Sequence, residues 1–186
     1  MMADATQSGL VESLVRWFEP WQTFYSHSKG TESAVTFVHL VGLLFGGGFA
    51  VATDRLMLRA TARGVRPADD ATAVLDSVRT IHRPVLIGLT LLALSGLALA
   101  TADVETFATS VTFWVKMGLV ALLGINGLVL MKTETQLRTQ LSDPYSDASK
   151  TDTTTDVLWR RLRVTAIASM TLWTATMLAG VVLVNS

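Results

Sequence analysis

Two ionisable side chains, His39 and Lys116, stand inside long apolar stretches of this sequence. Such groups are expensive in a bilayer core and mark functional positions there by default. An imidazole ligates iron or copper through a ring nitrogen and also relays protons. A lysine at that depth meets an anion, ligates a metal as a neutral amine or hands on a proton. Its bland alternative is to snorkel, with the stem in lipid and the ammonium among headgroups. At the helical rise His39 lies about 9 Å and Lys116 about 15 Å into their segments. Both segments run in the same direction, so the two side chains occupy the same half of the membrane and can meet across a bundle.

Gly42 and Gly46 fall at i+3 and i+7 from His39, and Gly47 and Gly48 follow. Glycine weakens a helix by about 1 kcal/mol relative to alanine, so four in one segment need a reason. One is close helix packing through Gly42-x-x-x-Gly46, which is common in membranes. The other is a flat groove that lets a large planar ligand lie against the backbone beside the histidine. The two are compatible. Met170, Trp173, Met177 and Gly180 share one face of the last apolar segment. Methionine on such a face usually fills space, and Met177 is the weak candidate for a soft sixth ligand. Asn126 reads as a structural residue bonded to a neighbouring helix. His82 begins the second segment at the opposite membrane face, about 20–30 Å from His39, so one iron is not gripped by both. His82 and His27 read as interfacial residues.

These side chains need elements to hold them, and the charge distribution supplies the elements. Half of the 186 residues are hydrophobic, only 16% are charged, and there is no cysteine. Disulfide-stapled modules, cysteine-ligated metal sites and intrinsic disorder are excluded on that composition. Residues 33–53, 84–102, 106–131 and 164–186 carry no formal charge apart from Lys116. Each stretch meets the length of about 20 residues that a helix needs to cross the hydrocarbon core. The expected fold is an all-α integral membrane protein, a four-transmembrane-helix bundle with spans at about 33–54, 82–102, 107–131 and 162–184. Residues 1–31 show no cleavable signal pattern. They are expected to form an outer-face amphipathic segment, with Trp17, Trp21, Phe24 and Tyr25 at headgroup depth. Pro20 is expected to kink or end that helix, and Thr31 or Ser33 to cap the first span.

The formal charge is zero, yet the basic residues are strongly polarised. Twelve of the 15 Lys and Arg lie on one side of the spans, two on the other, and Lys116 between. The positive-inside rule then places the twelve in the cytoplasm and both termini outside, in a prokaryotic inner membrane. The cytoplasmic loop 132–161 is polar, a tether or short surface helix and not a domain. Neutrality argues against nucleic-acid partners.

The order His39-Leu-Val-Gly-Leu-Leu-Phe-Gly-Gly-Gly, Ser95-Gly96, Phe113-Trp-Val-Lys116 and Asn126 resembles the membrane domain of CopD-type copper-resistance proteins and related uncharacterised four-span families. It is similar, more distantly, to the HemJ-type protoporphyrinogen oxidases, small four-span proteins that bind haem b. The HemJ resemblance implies that His39 is a haem ligand with Lys116 acting beside it. The CopD resemblance implies copper handling. The leading expectation is therefore a b-type haem protein in membrane electron transfer, an oxidoreductase if it is an enzyme. His39 would be the axial ligand and Lys116 a second ligand, propionate partner or proton donor, with Gly42 and Gly46 lining the cofactor. Partners would be the bilayer, a quinone or another membrane redox protein, and a second copy in a homo-oligomer. The alternatives are a copper or other metal permease using His39 and Met177, and an accessory subunit whose polar residues only lock helices together.

Overall fold

Four apolar runs with their charges confined to the ends must satisfy the backbone within each run, and this chain does so as helices. The computed structural model describes residues 2–62, 68–141 and 148–185; of these, the side chains of 2–8, 10, 62, 68–82, 148–153 and 184 lie outside the described residues. The elements are α1 (Met2–His27), α2 (Lys29–Gly42), a π-helical turn (Leu43–Gly47), α3 (Gly48–Ala62), α4 (Ala68–Ala102), α5 (Val104–Thr109), α6 (Val111–Leu141) and α7 (Ala148–Val184). Among the described residues there is no strand. Lys29–Thr61, Arg83–Ala102, Val111–Leu141 and Thr154–Leu183 are each long and apolar enough to cross a membrane. The fold is the expected all-α bundle of four long apolar helices, with α2, the π turn and α3 making up the first of them.

The boundaries differ from the sequence expectation in several places; α4, for one, begins at Ala68 and not near residue 82. Helix α1 runs through Pro20 to His27 and does not end there; Pro20 is exposed, so the carbonyl deprived of its donor is not sealed in a core. The cap of α2 is Ser28, whose Oγ accepts from the Thr31 N–H at 3.2 Å, not Thr31 or Ser33. Only this one extended residue separates α1 from α2. Before α6 the chain makes the short helix α5, capped by Asp103, and α6 starts at Val111 because Ser110 is extended. Helices α6 and α7 also continue past the apolar stretches, so most of 132–161 is helical; residues 142–147 lie outside the described residues.

Lipid supplies little hydrophobic drive between helices, so close backbone packing has to do it. Along α2 and the π turn this is what glycine provides. A Cβ on Gly42 would come within 2.7 Å of the Leu92 backbone N, and one on Gly46 within 3.1 Å of the Gly88 carbonyl carbon. A Cβ on Gly88 would collide with the Gly46 backbone. The π turn inserts one residue, which turns both Gly46 and Gly47 inward: Gly46 meets α4, and Gly47 faces the Trp173 ring on α7. The groove expected at Gly42 and Gly46 is thus occupied by α4 itself; there is no room for a planar ligand between those backbones.

Helix α2 packs on α4, α6 packs on α7, and α3 packs on both α4 and α7. Met57, Leu137, Leu158, Leu162 and Ala166 form a buried core where α3, α6 and α7 meet, at the end of the bundle away from both termini. Toward the termini α4 touches α6, but α2 packs against neither α6 nor α7. Large apolar side chains such as Phe37, Leu44, Leu94, Leu97, Leu128 and Val181 point outward, as a lipid-facing surface requires.

Gly88→Ala should destabilise the protein by about 1–3 kcal/mol, the usual cost of overpacking, in reversible detergent-induced unfolding. Gly118→Ala and Gly124→Ala, where an added Cβ meets nothing within 4 Å, should be neutral or slightly stabilising through helix propensity.

Candidate functional site

His39 sits one turn before the close glycine contact, and that contact sets its neighbours. In an antiparallel pair with Gly42 against Leu92, residue 39 lies beside residue 95. The His39 Nδ1 is 3.0 Å from Ser95 Oγ. The Ser95 hydroxyl is also 2.6 Å from the Leu91 carbonyl oxygen and 3.2 Å from that of Leu92. Gly96 faces the ring, where a Cβ would lie 3.2 Å from His39 Cε1. The imidazole is thus clamped along one edge by α4.

Lys116 reaches the same region from α6. It is half-buried, and a Cβ on Gly180 of α7 would lie 3.4 Å from its Nζ. It lies within electrostatic reach of His39. The two residues singled out by chemistry are thus in the same part of the bundle, on different helices. Among the described residues the Lys116 amine has neither a hydrogen bond nor an ion pair. Trp173, 3% exposed, lies deeper in the bundle against Gly47.

The remaining expected residues separate from this pair. Met177, the candidate sixth ligand, is turned onto Gly47, with its Cε 3.4 Å from where a Cβ there would be. Gly47 is eight residues from His39, about 12 Å along the helix, so Met177 is not placed beside the imidazole. Asn126 donates from Nδ2 to the Thr165 carbonyl oxygen at 3.0 Å, tying α6 to α7 as a structural residue would. His27 is exposed and bonded to its own helix through the Thr23 carbonyl oxygen, 2.8 Å away. The side chain of His82 lies outside the described residues.

Three features were not singled out from the sequence as functional. Ser95 stood there only as part of a motif. Gly180 appeared as one member of a face, without the lysine it accommodates. Asp54 is only 1% exposed and lies near Ser169 of α7, and its Oδ2 has no hydrogen-bond partner among the described residues. The available signal for Ser95 was a small polar residue beside a glycine in a leucine-rich run. It needs the helix register to become a partner for His39.

The chain matches no protein-family model, no curated protein and no solved structure.

Asn126→Leu should lower stability by about 0.6–1.7 kcal/mol, the range for side-chain hydrogen bonds between membrane helices, measured by detergent-induced unfolding. It should leave any ligand bound near His39 in place, because Asn126 lies about 15 Å further along α6 than Lys116.

Proposed function

We propose that this chain is a b-type haem-binding integral membrane protein of membrane electron transfer, with its prosthetic group beside His39 and Lys116 in the outer half of the bundle. One observation carries the reading: His39 and the unpartnered Lys116 amine, the two ionisable side chains of the apolar interior near the termini, lie within electrostatic reach of each other on different helices. A ligand that satisfies both must offer a metal for the imidazole and an anionic or acceptor group for the amine. Haem b, with an iron and two propionates, has that composition. The types of the residues present suit it. His39 is oriented by α4 and able to ligate, Gly96 and Gly180 keep side chains out of the way, and Trp173 seals the inner end.

In this reading haem supplies a one-electron iron couple. His39 would hold the iron, with its ring oriented by Ser95 of α4. Lys116 would balance a propionate in a medium of low dielectric, where such a charge-assisted bond is strong, or serve as second ligand or proton donor. Trp173 and the joined α3 and α7 exclude water from the inner side. A quinone or another membrane redox protein would exchange the electron.

The same reading sets the protein in a prokaryotic inner membrane with both termini outside. Exposed Arg55, Arg59, Lys132, Arg160, Arg161 and Arg163 gather at the end away from the termini, as the positive-inside rule requires of a cytoplasmic face. Helix α1 would lie at the outer headgroups. Its exposed Leu14, Trp17 and Phe24 would meet lipid, and the Trp21 indole N–H donates to the Ala98 carbonyl oxygen at 3.1 Å, holding α1 to α4. A copper permease would need His39 and Met177 on one ion, and their separation along the bundle favours haem.

The absorption spectrum of protein purified in detergent from haem-replete cells tests the proposal. A Soret band is expected. His39→Ala should reduce bound haem more than about tenfold and Lys116→Met about tenfold, in the range of ligand and supporting-shell losses. No Soret band in the wild type, or an unchanged one in His39→Ala, would overturn the reading.

A further inference from the structure

Ser95 is 5% exposed, and it lies between the His39 ring and two carbonyls of its own helix. A serine hydroxyl has one hydrogen to give. The Leu91 carbonyl oxygen is 2.6 Å from Oγ, a separation at the short end of O–H···O bonds. Two oxygens that close repel unless a hydrogen lies between them. The hydrogen is therefore committed to Leu91, with the Leu92 carbonyl at 3.2 Å as its lesser partner. What Ser95 presents to His39 is a lone pair, and the 3.0 Å contact to Nδ1 is a bond only if Nδ1 carries the proton.

We infer that Ser95 is a positioning residue that fixes the His39 tautomer, holding the proton on Nδ1 and leaving the lone pair on Nε2. No described residue bonds Nε2. Metal-ligating histidines are arranged this way: the second nitrogen donates to a fixed acceptor, which sets the ring angle and raises ligand basicity. Ser95 supplies that acceptor by spending its own hydrogen on the helix that carries it. The tautomer assignment stands on this geometry alone. Its consequence for ligation rests on the haem reading above.

The test uses full-length protein in nanodiscs with 15N-labelled histidine rings, free of haem and at a pH where the imidazole is neutral. His39→Gln assigns the His39 signals among the three histidines. Wild type should show a protonated Nδ1 and an unprotonated Nε2. In Ser95→Ala, which fits the same small space, the ring should move to a mixture or to the Nε2–H form. A wild-type ring protonated at Nε2, or a Ser95→Ala ring unchanged from wild type, would overturn the inference. This readout needs no haem, so it is decided separately from the Soret test. In haem-loaded protein Ser95→Ala should raise the midpoint potential, because a less basic imidazole stabilises ferric iron less. An unchanged potential would overturn the role of Ser95 at the iron.

Discussion

The close approach of two backbones, α2 with its π turn on one side and α4 on the other, is the contact on which the rest depends. Gly42, Gly46 and Gly88 leave no side chains between the helices, and van der Waals contact at that distance replaces the hydrophobic drive that lipid does not offer. The same closeness makes the chemistry local. A serine hydroxyl is short, and it meets an imidazole on the neighbouring helix only when the helix axes are near. Any residue larger than glycine at the contact would move Ser95 away from His39. Packing and the orientation of the His39 ring are therefore one requirement on the sequence.

Much of the fold was legible because the bilayer restricts the choices. Uncharged stretches of about 20 residues can only be helices, and four of them produced the four long helices. Asn126 was also legible as a strut, since a polar amide in lipid has few other uses. The ends of helices were harder. Ser28 and Ser110 each break the helix as a single extended residue, and the competing polar residues around Ser28 gave equally good caps on paper. The pairing of His39 with Lys116 followed from depth and direction. Its partners did not, because which residue of α4 lies beside His39 depends on helix register and rotation. Gly42 and Gly46 show the limit most clearly. Glycine accommodates a flat ligand and a second backbone by the same lack of a Cβ, and only the position of Gly88 decides between them.

The bundle is also unequal along its length. Its buried apolar residues cluster where α3, α6 and α7 meet, away from the termini, while near the termini the helices group in pairs. His39 and Lys116 lie outside that core, His39 against α4 and Lys116 against Gly180 of α7.

The π turn at Leu43–Gly47 divides the first span into two segments that answer to different neighbours. Before it the helix is read by α4, and after it α3 also packs against α7. One surplus residue works as a phase shift, and it uncouples the two halves for evolution. Substitutions around His39 can change its surroundings without disturbing the face that buries Asp54 and Met57. The inner half can drift in turn without rotating the imidazole. A one-residue deletion is the change this arrangement does not absorb, since it would put both halves back into a single register.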